Sequence, residues 1–348
     1  MFLIRRIYLP KVTSKILLAK QSSGRKIVII GGGTGGIGTA AQLVNLGQNQ
    51  VTIIDSSKDH YFQPIWTLVG GGICDVKDSS RPMATSIPKG VQWIQDDATT
   101  IIPENNEIML ESGQRVQYNY LVVAAGIRLD WDRVHGLKEA VSQPRSGVIS
   151  IYDYNYCDEA RKALHTFPGG RAVFTMPPVP IKCAGAPQKI MWLFDEMARE
   201  KGIRDKCDIS YWTTGESMFG IKKYSDVLEA LRIQRNISGH FAKTLVGVDA
   251  QKKIAVFQSS SNKDLLEEVP FDILHVVPPM SPPNIVKNSP LADAKGWVDV
   301  DRHTLQSTKF PNVFAIGDCS NSPNSKTAAA IMAQTPVVVH NILQMISK

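Results

Sequence analysis

One cysteine in this 348-residue chain stands where a reactive thiol would be expected. Cys183 follows Lys182 and comes shortly before Pro187, which suits the first turn of a helix running to about Arg199. A thiol at a helix N-terminus and beside a cation has a depressed pKa and reacts as the thiolate. We therefore predict that Cys183 is a catalytic residue.

The other cysteines and the histidines carry no comparable signal. The five cysteines include no C-x-x-C pair, and the seven histidines include no H-x-x-H or H-x-x-x-H pair. The sequence therefore predicts neither a disulfide framework nor a metal site. Cys74, Cys157 and Cys207 are expected to be buried and inert, whereas Cys319 could either face a ligand or pack in the core.

A glycine-rich turn joins the first predicted strand, 25–30, to a predicted helix at 39–46. Within it Gly31, Gly33 and Gly36 fit the pattern G-x-G-x-x-G. The first glycine of this pattern allows a tight turn, the second lets backbone approach a pyrophosphate, and the third permits close helix–strand packing. The helix start offers N–H groups and a positive dipole to phosphates. The turn predicts a dinucleotide site, the alternative being a tight turn that binds nothing.

Three later segments indicate which dinucleotide is bound. The strand at 51–55 ends in Asp55, which would accept hydrogen bonds from an adenosine ribose. An apolar strand at 118–126 closes on small residues, and a strand at 310–318 ends in Gly-Asp. These features are similar to flavoproteins with two dinucleotide-binding domains, which implies that Asp318 holds the ribityl and pyrophosphate region of FAD. A helix starting near Lys326 would then point its positive end at the flavin ring.

A second glycine-rich turn, which would bind a nicotinamide nucleotide, is missing from the middle of the sequence. The equivalent strand at 170–175 leads instead into a loop containing Pro177, Pro178 and Pro180. Prolines have no backbone N–H to donate to a pyrophosphate. The electron donor is therefore predicted not to be a nicotinamide, and Cys183 occupies that position.

Composition and charge exclude several classes of protein. Apolar residues make up 43% and charged residues 20%, as in an ordinary globular protein. No uninterrupted apolar run reaches the roughly 18 residues of a membrane span, which argues against a transmembrane channel or carrier. The net charge of +7 comes mostly from the N-terminal tail, so the nearly neutral remainder gives no nucleic-acid footprint. Residues 1–23, basic, acid-free and amphipathic, are predicted to be a mitochondrial targeting segment, or else a basic terminus without an address.

The sequence resembles the mitochondrial type of sulfide:quinone oxidoreductase. The resemblance covers roughly 25–335, and its most specific parts are the Gln-Pro-Ile-Trp segment and the cysteine loop. The matching segments are 31–36, 60–69, 179–189, 219–224, 275–283, 294–300, 317–319 and 325–329.

The resemblance implies a flavoprotein on the matrix face of the inner mitochondrial membrane. Such an enzyme oxidises hydrogen sulfide, passes two electrons through FAD to ubiquinone, and delivers sulfane sulfur to a small acceptor such as glutathione or sulfite. Cys183 matches the first of two redox cysteines, which forms a persulfide and attacks the flavin. Besides the motif glycines, the residues implied to contact FAD are Thr34, Gly35, Asp55, Gln63, Ala98, Asp318, Lys326 and Thr327.

The match departs from the family at the C-terminus. Family members continue well past the position of Lys348, in a part that carries the second redox cysteine and apolar helices that enter the membrane. The chain is therefore expected to be a C-terminally truncated member, either an incomplete gene model or a shortened isoform. Pro336 is also expected to break the flavin-facing helix.

Together these features predict an α/β fold with two Rossmann-like dinucleotide-binding domains. The FAD-binding domain would be discontinuous, 24–145 and 285–348, and the second domain, 146–284, would be inserted and carry the redox cysteine. Two alternative functions stay open. One is a non-catalytic FAD-binding paralogue or fragment, and the other is a quinone reductase with another donor, similar to type II NADH dehydrogenases, which the missing glycine turn disfavours.

Overall fold

The computed structural model of the chain describes residues 24–348, so the predicted targeting segment lies outside the described residues. The strands in chain order are β1 (Ile27–Ile30), β2 (Val51–Ile54), β3 (Asp59–Tyr61), β4 (Ser80–Pro82), β5 (Gln92–Ile94), β6 (Ala98–Ile102), β7 (Glu107–Leu110), β8 (Arg115–Gln117), β9 (Tyr120–Val123), β10 (Arg128–Leu129), β11 (Val148–Ile149), β12 (Gly170–Met176), β13 (Cys207–Thr213), β14 (Ser238–His240), β15 (Lys243–Asp249), β16 (Ile254–Ser259), β17 (Leu266–Pro270), β18 (Ile273–His275), β19 (Met280–Ser281) and β20 (Val313–Ala315).

The helices are α1 (Thr34–Asn45), α2 (Trp66–Gly70), α3 (Met83–Ser86), α4 (Leu137–Ser142), α5 (Tyr154–Thr166), α6 (Ala186–Glu200), α7 (Lys222–Gln234), α8 (Asn284–Lys287) and α9 (Ala328–Ile346). The strands predicted at 25–30, 51–55, 118–126, 170–175 and 310–318 are all present with shifted ends. The helix predicted after Cys183 is α6.

The first of two parallel sheets contains β20, β9, β1, β2 and β5 in that order. Its strands are apolar on both faces, the pattern of a parallel sheet covered on both sides. Residues of α1, α9 and the β6–β8 meander complete its core, among them Leu43, Ile108 and Val338. The sheet therefore draws on both ends of the described chain.

The second parallel sheet has the order β11, β18, β12, β13, β14. Neighbouring residues of β12 enter different cores because side chains of a strand alternate between faces. Phe174 packs with α5 and α6, while Val173 packs against α4 and the antiparallel strands β15–β17. Two parallel sheets, each with its own core, make the α/β fold with two Rossmann-like domains that the sequence predicts.

Helix α2 links the two halves. It follows β2 and β3 in the chain, yet Trp66 and Val69 are buried in the core beside the second sheet. A Cβ on Gly70 would lie 2.7 Å from Ile151 and 2.8 Å from Ile190, so only glycine permits this approach. Helix α2 therefore connects the first half of the chain to the core beside the second sheet.

The prediction that Pro336 breaks the flavin-facing helix is wrong, because α9 runs through it from Ala328 to Ile346. An interior proline removes one backbone hydrogen bond and costs roughly 3 kcal/mol. Burial of Val338, Val339 and Ile342 in the first core offsets that cost, since each large apolar side chain contributes about 1.5–3 kcal/mol. Packing thus overrides the local preference.

Helix α9 is also relevant to the expectation about membrane spans. Within residues 24–348 it is the one helix that is long and apolar enough, by length and composition alone, to cross a membrane. Polar residues interrupt its apolar sequence, and two of them, Gln334 and Thr335, are buried. Helix α9 packs on α1, and 28% of the candidate span is buried within the described residues.

Candidate active site

A cavity of about 450 Å³ lies between the two halves of the molecule. Its walls come from the turn before α1, the residues around α2, the loop before α6 and the loop before α9. Eight of the residues predicted from the sequence line it, namely Gly33, Thr34, Gly35, Gln63, Cys183, Asp318, Lys326 and Thr327. Gly31, Gly36, Asp55 and Ala98 are not part of that lining.

The glycine turn has a different constraint at each position. Gly31 has φ +101°, and a Cβ there would lie 2.4 Å from the Ala124 carbonyl oxygen. A Cβ on Gly36 would lie 1.8 Å from the Gly31 carbonyl oxygen, so these two glycines are needed to form the turn. Around Gly33 a Cβ would meet none of the described atoms within 4 Å. Gly33 therefore leaves room for a phosphate to approach the backbone.

The start of α1 is suited to an anion. Its N-cap residue, Gly33, has no side chain that could accept hydrogen bonds from the first backbone N–H groups. Those groups and the helix dipole point toward the cavity end of the turn, where Thr34 and Gly35 line the wall. The turn fits the pyrophosphate of a dinucleotide.

Asp55 braces this turn from the end of β2. One carboxylate oxygen accepts the N–H of Gly32 at 2.5 Å and the other accepts that of Ser57 at 2.8 Å. Ala98 is the first residue of β6. A hydrogen bond from the Ser56 hydroxyl to the Asp97 carboxylate, 2.6 Å long, links the chain next to Asp55 with the chain next to Ala98. The segments that carry Asp55 and Ala98 are therefore adjacent, and neither residue lines the cavity.

Asp318 presents an unsatisfied oxygen at the cavity wall. It follows β20, and its Oδ1 is buried with no hydrogen-bond partner among residues 24–348. Burial raises the pKa of the carboxyl group, while the charges of Lys326 and Lys182 act in the opposite direction. A buried orphan acceptor is costly unless it is paired, so a ligand that donates hydroxyl hydrogen bonds fits here. The ribityl chain of a flavin dinucleotide is such a ligand.

The backbone of Cys183 is held from three directions. Its N–H donates to the Lys326 carbonyl at 2.8 Å, and its own carbonyl accepts from the Tyr152 hydroxyl at 3.2 Å and the Ala186 N–H at 2.9 Å. The residue has φ +51°, in the left-handed region that side-chain-bearing residues seldom occupy. These contacts keep Cys183 at the cavity wall.

The sulfur of Cys183 has one charged neighbour among the described residues. The ammonium of Lys189, one turn into α6, donates to Sγ at 3.6 Å. Lys189 also lines the cavity, and it is exposed to solvent. Cys183 thus lines the cavity, and its sulfur accepts a hydrogen bond from the Lys189 ammonium.

Sequence reasoning missed several residues of this wall. Lys182, named only as a neighbour of Cys183, donates to Gln63 at 2.8 Å and lies 4.9 Å from the centre of the Trp66 ring. Burial lowers the pKa of its amine to about 8. Trp66 and Lys189 stand inside segments that carry the family resemblance, but Tyr152 has no local signal because it arrives from β11 through tertiary contacts.

The remaining cysteines do not line the cavity. Burial raises the pKa of Cys157, Cys207 and Cys319, the last to about 11. Cys319 donates to the Val123 carbonyl at 3.3 Å, which makes it a core residue rather than one that faces a ligand. Cys74 is half-buried. Within the described residues no group of three or more His, Cys, Asp or Glu side chains could hold a metal ion.

Comparison with known proteins places the chain among flavin-dependent oxidoreductases. The family described as pyridine nucleotide-disulphide oxidoreductase matches residues 25–161. The mitochondrial sulfide:quinone oxidoreductase of Dictyostelium discoideum is 46% identical over 328 residues, which cover 93% of this chain and 72% of that protein. The Mus musculus protein of the same name is 43% identical, covering 90% of this chain and 69% of its own.

A solved structure agrees with these matches. The sulfide:quinone oxidoreductase from the hyperthermophilic bacterium Aquifex aeolicus superimposes with a TM-score of 0.80 at 25% identity. The superposition covers 93% of this chain and 77% of that chain.

Proposed function

The chain belongs to the sulfide:quinone oxidoreductase family, and from this premise we propose that it oxidises hydrogen sulfide at Cys183 with FAD as cofactor and ubiquinone as electron acceptor. The observation that carries the proposal is that one cavity contains both the Cys183 sulfur and the features that fit a dinucleotide. Those features are the open glycine turn and the orphan oxygen of Asp318.

The chemistry at Cys183 is an oxidation by two electrons. A sulfur–sulfur bond forms between sulfide and the Cys183 sulfur, and two electrons and two protons leave the two S–H groups. A bound FAD would supply the two-electron acceptor for this oxidation, and ubiquinone would be the final acceptor, taking up the two electrons and two protons as the quinol. The resulting Cys183 persulfide then transfers its outer sulfur to the acceptor and regains the thiol.

The neighbouring lysines act on charge and protons. Lys189 donates a hydrogen bond to Sγ and so orients the sulfur and balances negative charge that develops on it. Lys182, with a pKa of about 8, can hold or release a proton near neutral pH at the same wall. Trp66 and Tyr152 cover part of the cavity and keep bulk water from it.

The sulfane-sulfur acceptor that we propose is glutathione or sulfite. Both are anions at neutral pH, and the exposed ammonium of Lys189 attracts anions to the sulfur that they must reach. By family membership we also place the protein in mitochondria, peripherally on the matrix face of the inner membrane, where ubiquinone is available.

The remaining FAD contacts and the domain boundaries are part of the same proposal. Thr34, Gly35, Gln63 and Thr327 line the cavity and would face the cofactor, while Asp55 and Ala98 would meet its adenosine end. The domains would be 24–145 with 285–348, and 146–284 between them. This division assigns each parallel sheet to one domain.

Anaerobic titration of the purified holoprotein with sodium sulfide tests the function. We expect sulfide to bleach the visible absorbance of the oxidised flavin, and a soluble ubiquinone analogue to restore it. Cys183→Ser should abolish the bleaching, whereas Cys74→Ser, a half-buried cysteine outside the cavity, should not. Bleaching that survives Cys183→Ser would exclude the assigned role of Cys183. A wild-type protein that holds FAD but does not bleach would be an FAD-binding protein without this activity.

A further inference from the structure

Lys326 makes an unusual set of contacts with its side chain. The ammonium donates to the carbonyl of Asp318 at 2.7 Å and to that of Ser320 at 2.9 Å. It also lies 4.0 Å from the centre of the Trp297 ring, within cation–π range. These contacts fix the loop that carries Asp318.

The main chain of the same residue contacts the other reactive loop. The Lys326 carbonyl accepts the Cys183 N–H at 2.8 Å across a separation of more than a hundred residues in sequence. Cys183 is in the left-handed region, a conformation that persists only where the surroundings enforce it. Thr327, the next residue, caps α9 by accepting the Ala330 N–H at 3.1 Å, so the segment cannot shift freely.

We propose that Lys326 is a positioning residue that fixes the Cys183 sulfur relative to the Asp318 carboxylate. Its side chain fastens the Asp318 loop and its carbonyl fastens the Cys183 backbone, so a single residue sets the spacing between sulfur and cofactor site. A misplacement of about 1 Å at a reacting centre costs about 100-fold in rate. The inference rests on the proposed function of Cys183.

A second lysine in the molecule provides a matched control. The ammonium of Lys309 donates to the carbonyls of Pro290 and Ala292 at 3.0 and 2.8 Å, the same type of contact as that of Lys326. Lys309 does not line the cavity and is not bonded to the Cys183 loop. Lys326→Met and Lys309→Met therefore each remove two hydrogen bonds to backbone carbonyls, the first at the cavity wall and the second at an exposed position outside the cavity.

The experiment compares both variants and Lys326→Arg in the FAD-loaded protein. We expect Lys326→Met to lower kcat for sulfide oxidation about 10- to 100-fold while KM changes less than about threefold, because orientation is lost and binding is kept. Lys309→Met should stay within about twofold of the wild type, and Lys326→Arg, which keeps the charge and the ring contact, should recover part of the loss. The rate of Cys183 alkylation by iodoacetamide should differ from the wild-type rate in Lys326→Met but not in Lys309→Met.

The flavin reduction potential separates positioning from direct contact. A positioning role predicts only a small change in the flavin potential of Lys326→Met, because the hydrogen bonds of the ammonium go to the carbonyls of Asp318 and Ser320. A more negative potential, together with unchanged Cys183 alkylation, would overturn the proposal in favour of a flavin contact. So would a kcat equal to that of Lys309→Met. If Lys326→Met does not fold, Lys326→Gln, whose shorter side chain cannot keep both carbonyl bonds, should give a smaller kcat loss of the same kind; a kcat equal to that of Lys309→Met overturns the proposal.

Failure of this inference is distinguishable from failure of the proposed function. If Cys183→Ser leaves sulfide oxidation intact, the function of Cys183 is wrong. If Cys183→Ser abolishes it while Lys326→Met behaves as Lys309→Met, only the positioning role is wrong.

Discussion

Each parallel sheet leads a buried strand into a helix at the cavity, but the two turns are made of different residues. After β1 the chain turns through glycines and begins α1 with its N–H groups open to the cavity. After β12 the chain turns through Pro177, Pro178 and Pro180 before Cys183 and α6. The topology is the same, while the groups presented to a ligand differ.

The difference shows that turn chemistry, rather than topology, selects the ligand class. A glycine turn offers backbone donors and room, which a pyrophosphate needs. A proline turn lacks N–H groups and instead places a thiol beside Lys189. The second Rossmann-like half thereby presents a thiol at the cavity where a glycine turn would present backbone N–H groups.

The largest expected effect comes from filling the glycine turn. Gly36→Ala places a Cβ 1.8 Å from the Gly31 carbonyl oxygen, so the turn must open. We expect loss of bound FAD and a drop on the order of 3–5 kcal/mol in the free energy of unfolding. Flavin content and urea denaturation measure both. Gly220→Ala, at an open position without positive φ, should leave both unchanged.

Gly33→Ala sharpens the same test because it separates folding from ligand binding. The added Cβ meets no described atom within 4 Å, so the thermal transition of the apoprotein should be retained. FAD affinity should fall about tenfold, since the backbone can no longer approach the pyrophosphate as closely. Unchanged affinity by fluorescence titration would show that Gly33 does not face the cofactor.

The proline turn is expected to exclude nicotinamide nucleotides. NADH should reduce the flavin at least about 100-fold more slowly than sulfide does, because the second turn lacks the donors that hold a pyrophosphate. Stopped-flow absorbance with each donor measures the two rates. Comparable rates of flavin reduction by NADH and by sulfide would contradict the prediction that the proline turn excludes nicotinamide nucleotides.

Removing the cation beside the sulfur should have an intermediate effect. Lys189→Met deletes the donor 3.6 Å from Sγ, and we expect kcat/KM for sulfide to fall about tenfold, the usual range for one charge-assisted contact. Lys222→Met removes a lysine paired with Asp226 on the exposed helix α7 and serves as the control. Equal activities of the two variants would show that Lys189 does not assist the sulfur.

The smallest effect concerns pH and Lys182. Its amine has a pKa of about 8 in the folded protein and 10.5 ordinarily, so the unfolded chain binds more protons between these values. The stability of the wild type relative to Lys182→Met should therefore rise with pH across that window. The full pKa difference corresponds to about 3 kcal/mol, and solvent screening of this half-buried residue reduces it to on the order of 1–2 kcal/mol. Denaturation curves at several pH values measure this difference, and a flat difference would contradict the lowered pKa.

Local signals were sufficient where a feature is encoded by neighbouring residues. The glycine turn and the Cys183 loop each combine a short strand, a turn composition and a helix start, and both are present as predicted. Gly31 adopts φ +101°, a conformation that glycine takes up without strain, so the residue type itself indicates the turn.

Contacts between distant segments could not be predicted in this way. Tyr152 reaches the Cys183 carbonyl from β11, and Lys326 contacts Trp297 and Ser320 through folding alone. Pro336 shows the opposite error, because a strong local rule was overridden by burial of the residues that follow it. Propensity fails wherever packing energy exceeds it.

The packing of α2 against the second half of the molecule affects how ligands can reach the cavity. Trp66 and Val69 of α2 are buried in the core beside the second sheet, so a movement that separated α2 from this sheet would expose the Trp66 indole to water. Exposing a side chain of that size costs several kcal/mol. Opening the cavity by separating the two halves is therefore unfavourable, and we expect its ligands to enter without such a movement.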